Sequence, residues 1–280
     1  MPEQMINRRQ LLTASAAAGV VAATGIPSTA SAQTKRLPGV QLYTVRDSMA
    51  KNVEKTLQAI AGIGYREVEF AGYFTRTAKE IKEMLARFDL ASPSTHVNGE
   101  TVQQDPRPFV DLAAEIGHDY VTIAYMQPEN RQTVDDWKRW VDVANRLGEA
   151  CRESGIRAAY HNHDFEFQAI DGMVPFELLL AETDPGLLDF EVDFYWVREA
   201  GRSIREVLAM APERMVLSHI KDRHVDGRMV DLGDGTIDFA AILADPVAAS
   251  IRHCFVEHDI PDDPFRSVAA SHQVLRKILE

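Results

Sequence analysis

Apolar and polar positions follow two alternating rhythms along most of the chain. Short runs rich in Val, Ile, Leu, Phe and Tyr are each followed by a stretch in which apolar residues return at i, i+3 and i+4, the spacing of an amphipathic helix. "PGVQLYTV" (38–45) precedes a predicted helix over 52–63, "YREVEFAG" precedes one over 77–88, and "LASPSTHVN" precedes one over 106–116. "YVTIAY" leads to a long helix over 134–153, "RAAYHNH" to "VPFELLLAET", and "LLDFEVDF" to "SIREVLAMA". "MVLSHIKD" passes through a Gly-rich loop to "DFAAILA", and "HCFVEHD" leads to "FRSVAASHQVLRKIL". Eight strand-then-helix units with β-branched strands imply parallel pairing. At this length they fit a single-domain α/β fold, the (β/α)8 TIM barrel, better than an open sheet. No Gly-x-Gly-x-x-Gly follows the first strand, which argues against a dinucleotide-binding fold.

The first 32 residues stand outside this rhythm. Arg8-Arg9, an Ala-rich apolar stretch and Ala30-Ser31-Ala32 follow the plan of a twin-arginine signal peptide with a small-residue cleavage site. The expectation is an exported, periplasmic protein whose barrel domain spans 33–280. The apolar stretch is too short and too rich in Ala, Gly, Ser and Thr for a stable membrane span. Formal net charge is −12 overall and one unit more acidic without the leader. Such a balance disfavours nucleic acid and anionic membrane as partners, because phosphate binding is largely electrostatic. Cys151 and Cys254 have no metal or redox spacing. A small-molecule sugar is the expected partner, and homo-oligomerisation is left open.

Barrels of this kind build their active sites at the C-terminal ends of the strands. Those ends carry Tyr43 and Arg46, Glu69, His96, Tyr125, His161 and His163, Asp193 and Trp196, His219, Lys221 and Asp222, and Glu257 and His258. Within "AAYHNHDFEF" (158–167), His161 and His163 face one side of the strand, with Tyr160 and Asn162 on the other. Asp193, His219 and Glu257 come from strands six, seven and eight. Carboxylate and imidazole without thiolate suit one divalent ion such as Mn²⁺, Zn²⁺, Co²⁺ or Mg²⁺. Strand five offers a fourth ligand; His161 is expected to bind the ion and His163 to face substrate.

The stretches "YHNHDFEF" (160–167), "EVDFYWVREAG" (191–201), "SHIKDR" (218–223), "LGDGTIDF" (232–239) and "FVEHD" (255–259) resemble those of the sugar phosphate isomerase/epimerase proteins of the xylose isomerase-like TIM barrel superfamily. The resemblance spans essentially the whole chain after the leader. Members include ketose 3-epimerases, hydroxypyruvate isomerases, inosose dehydratases and enzymes acting on 3-keto sugars. The family's Asp, His and Glu ligands match Asp193, His219 and Glu257, while the strand-five glutamate of the epimerases is replaced here by His161. Epimerases use two metal-bound glutamates as an acid–base pair, so the replacement pulls toward the dehydratases, whose strand five is also His-rich. Glu166, five residues on, is the other candidate for the missing glutamate.

A divalent ion spanning a ketone oxygen and a neighbouring hydroxyl stabilises an enediolate. Isomerisation, epimerisation and β-elimination all begin by removing the proton beside the carbonyl. Glu257 or His163 is the expected base. Lys221 either neutralises the oxyanion or pairs with Asp222 or another mouth carboxylate. Glu69 and His96 are expected to hydrogen-bond sugar hydroxyls, and Trp196 to offer a platform for a sugar face. The glycines of "LGDGTID" either cradle a phosphate or form a turn before the seventh helix, and the turn is preferred. The leading expectation is a metal-dependent isomerase or epimerase of a non-phosphorylated keto sugar or related polyol. The alternatives are a lyase on a 3-keto sugar, keto-glycoside or inosose, and a non-catalytic sugar-binding barrel.

Overall fold

A computed structural model describes residues 35–280; the expected leader, 1–32, lies outside them. Strands β1 (Pro38–Gln41), β2 (Glu67–Phe70), β3 (Ala91–Asn98), β4 (Tyr120–Tyr125), β5 (Arg157–His161), β6 (Leu188–Asp193), β7 (Met215–Ile220) and β8 (His253–Val256) form a closed parallel barrel in which β1 pairs with both β2 and β8. The (β/α)8 expectation holds. Helices begin where side chains take up free backbone amides. Asn52 accepts from Lys55 N, while Thr77 with Glu80 and Thr133 with Asp136 form capping boxes. The long helix Val134–Glu153 buries Trp137 and Trp140 against the barrel. No helix among the described residues is long and apolar enough to cross a membrane.

Several short elements were not expected. Helices Gly99–Gln104 and Phe194–Glu199 follow β3 and β6 directly, and Asp222–Arg223 pairs antiparallel with Met229–Val230. The first strand is also shorter than its apolar run. Gln41 Oε1 accepts from Tyr43 N at 2.9 Å and turns Leu42–Val45 into a 3-10 helix, which leaves Tyr43 on the barrel rim.

Contacts between non-neighbouring strands identify the side chains on the barrel axis. His96 on β3 meets Glu191 on β6, His219 on β7 meets Glu69 on β2, and Glu67 on β2 meets His253 on β8. Ala159, Leu217 and Phe255 belong to an apolar cluster with Tyr120. They stand two residues before His161, His219 and Glu257, so an apolar plug underlies the polar upper end. Gly39 makes room for it: a Cβ there would lie 2.6 Å from the Phe255 ring.

Candidate active site

Asp193 ends β6 and caps the next helix, its Oδ1 accepting from Trp196 N at 3.0 Å. Its own backbone N–H donates to Asn162 Oδ1 at 3.1 Å. Clamped from both sides, the carboxylate turns Oδ2 toward the axis, where it is buried without a hydrogen-bond partner. His219 Nδ1 lies 2.9 Å from Glu257 Oε2 and 3.8 Å from Asp193 Oδ2. Two ligands at about 2.1 Å from one tetrahedral ion stand about 3.4 Å apart, so these separations bracket the spacing that a metal requires. Asp193, His219 and Glu257 thus converge as a possible ion-binding group, in which the Lys221 ammonium now supplies the positive charge against the Asp193 and Glu257 oxygens. Lys221 Nζ shares these oxygens, 3.0 Å from Asp193 Oδ2, 2.7 Å from Glu257 Oε2 and 2.9 Å from Asp259 Oδ1.

A second cluster lies beside the first, with His219 common to both. Glu191 Oε2 is 2.6 Å from His96 Nε2, 3.2 Å from His219 Nε2 and 3.3 Å from His161 Nδ1. Glu69 Oε2 is 2.8 Å from His219 Nε2 and 3.2 Å from His96 Nε2, and it accepts from Gln41 Nε2 at 2.8 Å. His96, His161, Glu191 and His219 also meet the geometry of a metal-holding group. His161 reaches toward the first cluster with its other nitrogen, Nε2 lying 3.9 Å from Asp193 Oδ2.

His163 stands on the cavity wall. Its ring stacks on Phe165 at 5.2 Å and meets Tyr125 edge-on at 5.4 Å, and its Nδ1 is buried without a partner. Burial, then His161 and Lys221, hold its pKa well below the usual value, so it is neutral. Burial also pushes His161 down to about 3 and Asp193 up to about 6. His219 goes the other way. Burial lowers it, but the Glu191 and Glu257 carboxylates outweigh burial and raise it well above the usual value. Lys221 is raised likewise, its three carboxylates overcoming desolvation. Desolvation would raise Glu257, yet Lys221 and His219 hold it well below the carboxylate range.

The remaining expected site residues lie elsewhere. Glu166 does not reach the cavity: Oε1 accepts from Tyr160 Oη and Oε2 from His163 N, both at 2.8 Å. Burial raises it to about 8. In this arrangement it braces the β5 end and lies outside both metal-holding groups. Glu69 is fully buried beneath the cavity, away from the hydroxyl-binding position expected of it. His96 lines the cavity but commits Nε2 to Glu191. Trp196 packs edge-on against Tyr195 and lies 5.3 Å from the His163 ring, behind the wall and outside the cavity lining. Sequence reasoning passed over Glu191 and Asp259. Glu191 had a legible signal, since it precedes Asp193 by two residues on the same strand face.

The Gly-rich loop is a turn around an internal anion. Asp222 Oδ2 accepts from Gly233 N and Gly235 N at 3.0 and 3.1 Å, and Oδ1 accepts from Ile237 N at 3.3 Å. Asp222 therefore does not pair with Lys221. The cavity has a volume of about 720 Å³ and is lined among others by Tyr43, Arg46, His96, Tyr125, His161, His163, Lys221, Glu257 and Asp259. Arg46 donates to the carbonyls of Tyr43 and Asp259 at 2.9 and 2.8 Å.

The sequence profile of the family described as xylose isomerase-like TIM barrel matches residues 57–277. The chain is similar to the crystal structure of a sugar phosphate isomerase/epimerase from Parabacteroides distasonis, with a TM-score of 0.77 and 26% identity, covering 91% of this chain and 100% of that one. A structure of L-ribulose 3-epimerase shares the fold at a TM-score of 0.68 and 14% identity, covering 87% of this chain and 94% of that one. An inosose dehydratase from Geobacillus thermodenitrificans is 25% identical over 167 residues, 52% of this chain. The match spans 55% of that relative's length.

Proposed function

The chain belongs to the xylose isomerase-like TIM barrel family, and from that premise we propose that it is a divalent-metal-dependent isomerase or epimerase of a non-phosphorylated keto sugar or related polyol. The observation that carries this reading is the convergence of Asp193 Oδ2, His219 Nδ1 and Glu257 Oε2 beside a neutral, unpartnered imidazole. Asp193, His219 and Glu257 would hold the ion, with His161 Nε2 as the nearest fourth donor. When bound, the ion supplies positive charge against the oxygens of the enediolate. In isomerisation His163 takes the proton from the carbon beside the carbonyl and returns it on the same face to the former carbonyl carbon. The neighbouring hydroxyl gives its proton to the former ketone oxygen. A single base suits that suprafacial transfer, whereas epimerisation would need a second proton donor on the opposite face. The two-glutamate epimerase mechanism lacks support, because Glu166 is committed to Tyr160 and His163 N.

The cations favour a neutral substrate. Arg46 donates to two carbonyls, Lys221 is shared by three carboxylates, and the loop amides already hold Asp222. Of the two cationic side chains that line the cavity among the described residues, Lys221 is neutralised by carboxylates, which leaves Arg46, at the Tyr43 rim, as the one cation free to meet an anion.

A second reading, dehydration, is favoured by the same lone base and by the similarity to inosose dehydratase. Here the C–H bond beside the ketone and the C–O bond one carbon further break, His163 carries the proton to the departing hydroxyl, and water leaves an enone. Incubating the metal-loaded enzyme in D₂O with a panel of keto sugars and following products by NMR separates the two. An isomerase gives an isomeric sugar with deuterium beside the carbonyl whenever His163 exchanges its proton with solvent. A dehydratase gives an enone. Stoichiometric metal with neither product would leave a sugar-binding barrel.

We further propose that the protein is exported and that residues 1–32 are removed as its signal peptide. Mass spectrometry of the mature protein should find its N-terminus near Gln33, and a full-length cytoplasmic product would overturn this.

A further inference from the structure

Glu191 is the axis carboxylate that the proposed chemistry does not use. Neither it nor Glu69 touches the cavity, yet both are fully buried, and each leaves Oε1 without a hydrogen-bond partner. A buried carboxylate of this kind adds little to stability and calls for another explanation. Its surroundings supply one. His96 Nε2, Glu191 Oε2, His219 Nε2 and Glu69 Oε2 form a closed square with edges of 2.6, 3.2, 2.8 and 3.2 Å. His161 Nδ1 joins it from outside at 3.3 Å.

Three corners of the square, His96, Glu191 and His219, join His161 in a group with metal-holding geometry, but the short edges argue otherwise. Two ligands at about 2.1 Å from a shared ion are separated by about 3.0 Å in octahedral geometry and about 3.4 Å in tetrahedral geometry. The edges of 2.6 and 2.8 Å are the lengths of charge-assisted N–H···O bonds.

We infer that Glu191, seconded by Glu69, is a positioning residue that fixes the ring tautomers of His161 and His219. A neutral imidazole has one N–H and one lone pair, and a metal accepts only the lone pair. Glu191 Oε2 lies 3.3 Å from His161 Nδ1, outside hydrogen-bond geometry, and its charge favours the proton on that nitrogen, leaving Nε2 toward Asp193. Glu69 and Glu191 keep a proton on His219 Nε2, so that Nδ1, now 2.9 Å from Glu257 Oε2, is the nitrogen that would give up its proton to an ion. Strand β6 therefore supplies both a ligand, Asp193, and the support for its neighbours' rings, Glu191, two residues apart on one face. Such carboxylate–imidazole–metal arrangements orient ligands and raise their basicity.

The inference rests on the metal reading above, and Co²⁺ titration of the chelator-stripped protein tests the two apart. The wild type should take one Co²⁺ per chain with a visible ligand-field spectrum; no binding would overturn the metal reading and with it this one. Glu191→Gln should take one Co²⁺ with 10–100-fold weaker affinity and a changed spectrum. Unchanged affinity and spectrum in Glu191→Gln, beside a binding wild type, would overturn the role of Glu191 alone. A second Co²⁺ in the wild type that is lost in Glu191→Gln would also overturn it, because the square would then be a ligand set. Should the variant fail to fold, ¹⁵N NMR of the histidine rings in the Zn²⁺-loaded wild type decides. Protons on His161 Nδ1 and His219 Nε2 are expected, and either proton on the opposite nitrogen would overturn the inference.

Discussion

The two ends of the barrel interior are built from similar residues and handle them differently. At the lower end charged groups meet in simple pairs. Glu67 Oε2 is 2.9 Å from His253 Nδ1, and Arg157 grips Asp189 with two N–H groups at 2.5 and 2.9 Å. At the upper end Lys221 serves three carboxylates and His219 faces four, while Asp193 Oδ2, Glu191 Oε1, Glu69 Oε1, His161 Nδ1 and His163 Nδ1 are buried without hydrogen-bond partners. β6 contributes to both ends, with Asp189 below and Glu191 and Asp193 above. The contrast separates stability from function within one strand. Paired charges brace the bottom, and most of the unmet buried donors and acceptors lie above.

Substitution at the upper end should cost activity and spare the fold. His219→Ala should bring the largest effect, abolishing stoichiometric metal in elemental analysis and turnover with it. Its metal-free form should still fold but melt below metal-free wild type, since Glu69, Glu191, Asp193 and Glu257 lose the buried imidazole they share. A His219→Ala protein that keeps its metal would dissolve the contrast.

His163→Ala should keep full metal occupancy while slowing proton exchange on the order of a hundredfold or more, read by deuterium incorporation. Undiminished exchange would leave Glu257 as the base.

The lower end should respond in stability alone. His118, just before β4, gives Nδ1–H to Ser92 O at 2.7 Å, and burial holds its pKa down from 6.5 to about 4. The unfolded chain therefore binds a proton between these values that the fold refuses. Stability is complete above about pH 6.5 and falls by about 3 kcal/mol on the way to pH 4. Urea melts across this range should show the slope, and His118→Asn should flatten it.

Arg157→Ala should have the smallest effect. It leaves buried Asp189 without its fork, but the guanidinium is 40% exposed, so water compensates in part and a loss of about 2 kcal/mol is expected. Turnover per folded molecule should stay at the wild-type level; a drop would mean that the two ends are coupled.

The barrel was legible in the sequence because period-two and period-3.6 patterns alternate eight times with little interruption. What escaped was set by long-range capping. The helix Phe194–Glu199 exists because the Asp193 carboxylate turns back onto Trp196 N, and the strand pair after β7 brackets a loop gathered by Asp222. In the site, Asp193, His219 and Glu257 could be picked out because each closes an apolar run. Glu191 lies inside such a run, and attention to strand ends passed over the layer beneath. Glu166 was read as facing the site because nothing local reveals that Tyr160, on the outer face of β5, would capture it.

The carboxylate of Asp222 inside the Gly-rich loop has a kinetic consequence. A loop that gathered only around an incoming anion would have to be ordered anew in each catalytic cycle, with a cost in conformational entropy. Here Gly233, Gly235 and Ile237 keep their partner between turnovers, so the segment is closed in advance and substrate arrival should leave the hydrogen exchange of these amides unchanged. Gly235 makes the arrangement hard to alter, since a Cβ there would overlap Asp222 Oδ1 at 2.1 Å. This loop thus behaves as a fixed, pre-closed segment.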